Sequence, residues 1–235
     1  MSHRHLVQFY GADQNALIRE VATYIADGVD AGEAVIVVTD RERRDAFFRE
    51  LDHLRGEAVP GSEDARLVVL DSDTTLESLY VQGSLNANRF DQVIGNAVRK
   101  IASRSRSHRV RAYGDMVGTL WDRGDRAGAI ELERYWNDLQ AQVPFELYCG
   151  YAIDVFGDEF DAAAIAPVLS EHSDVVSGGS CELHSALDYA MYETLGRTCP
   201  EMPDAQAAIL WIRSNLPEHA LEILQRARQY APGPA

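Results

Sequence analysis

The run AVIVVT over residues 34–39 constrains this chain more than any other stretch. Six consecutive apolar or β-branched residues without alternation describe a strand covered on both faces. Such a sheet needs helices on each side, so strands and amphipathic helices should alternate along the sequence. Residues 5–10 (HLVQFY) read as a short strand ending at Gly11. A helix follows, with Asp13 as N-cap and Leu17, Val21, Tyr24 and Ile25 at helical spacing. Gly28 is placed to end that helix in a left-handed cap. Asp40 caps a second helix carrying Phe47, Leu51 and Leu54, and a Gly/Pro/acid loop at 56–65 leads to a third strand, RLVVL at 66–70. Thr74 or Thr75 caps a further helix, and 90–101 is helical again. Strand 109–113, two helices up to residue 139, a fifth strand over 145–151 and a helix near 158–172 complete the alternation.

The fold class is therefore α/β, with a mostly parallel sheet flanked by helices. Ser177-Gly178-Gly179-Ser180 interrupts the pattern, dividing the chain into an α/β domain over 1–176 and a helical extension over 177–235. Asn215-Leu216-Pro217 separates the last two helices of the extension. So short and apolar a helical unit should pack onto the domain or onto a partner.

Charge narrows the function classes. A formal net charge of −15 over 235 residues argues against nucleic-acid binding, which needs clustered cations. It suits a soluble monomer or small oligomer, a homodimer included. No apolar run approaches a membrane span, and Cys149, Cys181 and Cys199 lack CxxC spacing, so the expected compartment is a reducing cytoplasm. The basic tract 99–109 stands out in so acidic a chain, and its preferred reading is a solvated helix end and loop.

Asp115 marks the most site-like position. It lies just beyond the carboxyl end of strand 109–113, where open α/β sheets hold ligands. Tyr113 and Met116 beside it offer an aromatic ring with a polar handle and an adaptable apolar surface. The plainer reading makes Asp115 a helix cap, and the two readings stand level. Phe9 and Tyr10, at the end of the first strand, abut the turn where a ligand would enter. His5 is a further ligand-binding candidate, although a structural, hydrogen-bonded histidine is the preferred reading. His3 shares its face, but no Cys, Asp or Glu at ligand spacing joins them, so no metal or cofactor is expected. Glu131 and Glu133 flank Leu132 and should face solvent, whereas Leu132, Trp121 and Trp136 read as core. Cys149 reads as a small buried hydrophobe. No second group completes a catalytic set with Asp115. The first strand–turn–helix has only Gly11, with Asp13, Gln14 and Asn15 where a phosphate loop would carry Lys and Ser/Thr.

The segments HLVQFYG (5–11), DGVDAGEAVIVV (27–38), YGDMVGTLWDRG (113–124), LERYWNDL (132–139) and LYCGY (147–151) together resemble the MEDS sensory domain, named from methanogens, methylotrophs and a dichloromethane-responsive regulator. The resemblance covers roughly residues 5–175. It implies a RecA/KaiC-related domain that has lost nucleotide chemistry and senses small hydrocarbon derivatives, commonly in the company of histidine kinases or DNA-binding domains. The expected function is then a non-enzymatic signal-sensing domain holding a small organic ligand and signalling to a partner, such as a histidine kinase or transcription regulator. A ligand-free adaptor in a kinase or sigma-factor pathway is the alternative, and a nucleotide-binding ATPase a more remote one.

Overall fold

Strand-forming runs and helical stripes alternate in space as they do in sequence. The computed structural model describes residues 4–11, 14–56, 66–107, 109–155, 162–176, 181–202 and 205–230. Six strands form one sheet: β1 (His5–Phe9), β2 (Ala34–Thr39), β3 (Leu67–Asp71), β6 (Val110–Gly114), β7 (Glu146–Tyr151) and β8 (Asp174–Val175). Their order is β3-β2-β6-β7-β1-β8, and every neighbouring pair is parallel. The two-residue β8 adds an edge strand beside β1 that is too short to announce itself in sequence. A small antiparallel hairpin, β4 (Tyr80–Val81) with β5 (Ser84–Leu85), lies outside the sheet.

Strand alternation divides the core into two layers. Leu6, Tyr10, Val35, Val37, Tyr113 and Tyr148 pack beneath α1 (Asn15–Asp30) and α2 (Arg41–Arg55). Val7, Phe9, Ile36, Val38, Ala112 and Cys149 face the opposite layer. That layer holds α3 (Ser72–Ser78), α4 (Ala87–Phe90), a π-helical turn (Asp91–Gly95), α5 (Asn96–Ala102), α6 (Met116–Asp122), α7 (Arg126–Gln142) and α8 (Ala162–Glu171). The extension forms α9 (Cys181–Leu195), α10 (Ala205–Asn215) and α11 (Pro217–Tyr230). Its Leu187, Met191, Ile209, Ile212 and Ile223 belong to the same buried cluster as Val7 and Val168, so it shares the domain's core. Among the described residues no helix is long and apolar enough to cross a membrane.

The helix ends follow capping chemistry, with two corrections. Asp40 caps α2 by accepting from the Arg43 amide at 2.9 Å, as expected. Asp71, rather than Thr74 or Thr75, caps α3, because its carboxylate accepts from the Thr74 amide. Gly28 does not end α1. The helix runs on to Asp30, and Gly32 supplies the positive φ (+71°). Gly28 is needed for closeness instead, since a Cβ there would lie 3.0 Å from both Val35 and Arg111. The expected N-cap Asp13, together with His3, lies outside the described residues.

Candidate functional site

Adjacent strands β2 and β6 send their chains to opposite faces of the sheet. After β2 the chain enters α2 in one layer, and after β6 it enters α6 in the other. This is the switch point at which parallel sheets open a crevice outside their carboxyl ends. Thr39 from β2 and Asp115 after β6 meet there. The Thr39 hydroxyl donates to Asp115 Oδ2 at 2.5 Å. Arg43, one turn into α2, donates to the same oxygen at 3.2 Å and to Asp40 at 3.1 Å. Its guanidinium also lies 5.4 Å from the centre of the Tyr10 ring.

Asp115 is only 1% exposed. Burial raises its carboxyl to about 6 against the opposing pull of Thr39 and Arg43. Its Oδ1 has no hydrogen-bond partner among the described residues, nor has the Tyr113 hydroxyl. Asp115 occupies the N-cap position of α6, but its side chain makes no capping hydrogen bond there. On the outer side of Arg43 lies a cleft of about 440 Å³ lined mainly by polar side chains, Gln14, Asp40 and Arg49 among them. Arg43 thus stands between solvent and the buried acid.

The six residues singled out in sequence do not share one crevice. Tyr10 and Tyr113 lie in the α1/α2 layer beside the Asp115–Arg43 pair, but the Tyr113 ring is wholly buried, stacked edge-on against Phe47 and Tyr148. Phe9 points to the other face, as adjacent strand residues must, and packs near Tyr151. Met116 enters that same far layer at the start of α6. His5 sits at the opposite end of β1. Sequence reasoning missed Thr39 and Arg43. A strand ending in Thr39-Asp40 with an arginine one turn later was the signal for them. The carboxyl end of β1 is also covered, since Gln206 of α10 donates to the Phe9 carbonyl at 2.6 Å. A Cβ on Gly11 would approach the Asp154 carboxyl at 3.4 Å.

His5 belongs to a second polar cluster. Its Nε2 lies 3.2 Å from Glu133 Oε2 and 3.5 Å from Cys149 Sγ, while His172 Nε2 lies 3.3 Å from Glu133 Oε1. Tyr151 donates to Glu133 Oε1 at 2.7 Å. The expectation that Glu133 faces solvent is corrected: it is fully buried, whereas Glu131 is exposed. Glu133 falls on the inward stripe of α7 between Ala129 and Trp136. Burial works to raise its carboxyl, but the facing imidazoles outweigh it and hold the group well below the carboxylate range. Burial and the Glu133 charge push the Cys149 thiol well up. Burial opposes a charge on His172, yet Glu133 raises it.

Fold and site together define a parallel α/β domain with a buried acid at its switch point and a polar cluster beneath the far layer. The chain belongs to the MEDS family, the MEthanogen/methylotroph, DcmR Sensory domain, whose model matches residues 4–173. No curated protein matches the chain.

Proposed function

We propose that this protein senses a small hydrocarbon derivative bearing a polar group, bound at the cleft outside Arg43 and read through the Arg43–Asp115 pair. The observation that carries this reading is the buried, half-satisfied carboxylate of Asp115, held by an arginine that also lines the cleft. A ligand oxygen that engages Arg43 weakens its hold on Asp115 and favours the protonated acid. That change passes to β2, α2 and the β6–α6 junction, which carry the three side chains. Binding biases two conformations only through its different affinity for each. No turnover is proposed, because Asp115 faces a hydroxyl and a guanidinium rather than a nucleophile–base pair. The signal would pass to a partner such as a histidine kinase or transcription regulator.

One observation favours the adaptor reading: Phe9, Tyr113 and Met116 are fully packed, so the sheet ends leave little apolar room. Thermal-shift measurements on the full chain with short-chain alcohols, aldehydes and carboxylates separate the two. Under the sensor reading one chemical class stabilises the protein, by about 2.7 kcal/mol at a hundredfold excess over Kd, and Arg43→Gln abolishes the effect. No stabilisation by any class would favour the adaptor.

A further inference from the structure

We propose that His5, Glu133, Cys149 and His172 bind a single divalent transition-metal ion of the zinc class. Four separate elements bring these side chains together: β1, α7, β7 and the residue just past α8. The side chains of His5, Glu133 and His172 are 4%, 0% and 1% exposed, and Cys149 is fully buried. One donor atom from each lies within 4.8 Å of the other three. The three separations among His5 Nε2, Glu133 Oε2 and Cys149 Sγ, 3.2–3.5 Å, match the edges of a tetrahedron, which run about 3.3–3.8 Å when donors sit 2.0–2.3 Å from a central ion, while His172 Nε2 lies 3.3 Å from the other Glu133 oxygen.

Hydrogen bonding around the cluster aims the donors inward. His172 Nδ1 lies 2.7 Å from the Val168 carbonyl, which can only accept, so Nδ1 carries the hydrogen. Asn137 donates its amide to the Glu171 carbonyl and carboxylate at 3.2 and 3.0 Å, which turns its Oδ1 toward His5 Nδ1 at 2.8 Å. His5 Nδ1 is therefore a donor too. Both Nε2 atoms face the Glu133 carboxylate, where a metal can take the place of a ring proton. His172 Nε2 has no aligned hydrogen bond. A dication placed among the four replaces ring and thiol protons with coordination, and each histidine already has the outer partner that metal-bound histidines carry. Two imidazoles, one thiolate and one carboxylate select a borderline-soft ion over calcium or magnesium, which prefer all-oxygen sites. On binding, the ion displaces the Cys149 thiol proton to solvent and forms a metal–sulfur bond. Four protein donors close the tetrahedron, so the ion ties β1 and β7 to α7 and the end of α8 rather than activating water. This site is separate from the Asp115 crevice and stands or falls independently of it.

The test uses the untagged full chain, stripped of metal by chelation and titrated with cobalt(II), then zinc(II). About one equivalent should bind, and the cobalt form should show tetrahedral visible bands and a thiolate charge-transfer band. Cys149→Ser removes the charge-transfer band. Asn137→Leu, which touches no metal, weakens affinity about 10–100-fold while circular dichroism is retained. Because Asn137→Leu and the wild-type spectrum are read without it, a misfolded Cys149→Ser leaves the test intact. Folded wild-type protein that takes up no cobalt, or a cobalt spectrum unaltered in folded Cys149→Ser, would overturn the proposal.

Discussion

Asp115 shows how one residue can set a pH response. Its folded-state carboxyl titrates at about 6, against an ordinary value of 3.8. Between those values the folded chain binds more protons than the unfolded chain, so this group makes stability fall as pH rises, with no further change above about 6. Two pH units correspond to about 3 kcal/mol. Urea unfolding from pH 4 to pH 7 should show a loss of that order in the wild type relative to Asp115→Asn. Parallel pH profiles for the two proteins would show that Asp115 is not strained by burial. Its position was legible in sequence, because a strand followed at once by an acid is visible without coordinates. Its partners were not. Thr39 and Arg43 lie more than seventy residues away, and only strand order makes β2 and β6 neighbours.

Elements meet here at close range, and glycine marks where. A Cβ on Gly118 of α6 would lie 2.5 Å from the Gly150 carbonyl oxygen in β7. Backbone cannot step aside as a flexible side chain does, so Gly118→Ala should cost about 1–3 kcal/mol through overpacking. Chemical denaturation reads this directly, and an unchanged midpoint would mean that α6 slides freely over the sheet. The alternation of strands and helices was legible because buried parallel strands and amphipathic stripes carry different periods. Glu133 was misplaced because it was judged against Leu132, its neighbour in sequence. Position along the stripe decides its direction, and there it aligns with Ala129 and Trp136. The same period-two rule separates Phe9 from Tyr10, which adjacency in sequence had joined.

At the scale of the molecule, the two polar centres lie in different places. The Asp115 crevice sits at the carboxyl ends of β2 and β6, whereas His5 leads into the amino end of β1. The helical extension covers the carboxyl end of β1 through Gln206 and shares the large core. That the extension would pack against something was legible from its apolar content; which surface it chose was not, because docking depends on shape formed by distant strands. The sensing claim is tested most directly by amide chemical-shift titration of the full chain with the short-chain alcohols, aldehydes and carboxylates. Saturable shifts centred on Asp40–Arg43 and Asp115, absent in Arg43→Gln, are expected. Saturable shifts confined to other parts of the chain, or none with any compound, would contradict a ligand site at this crevice.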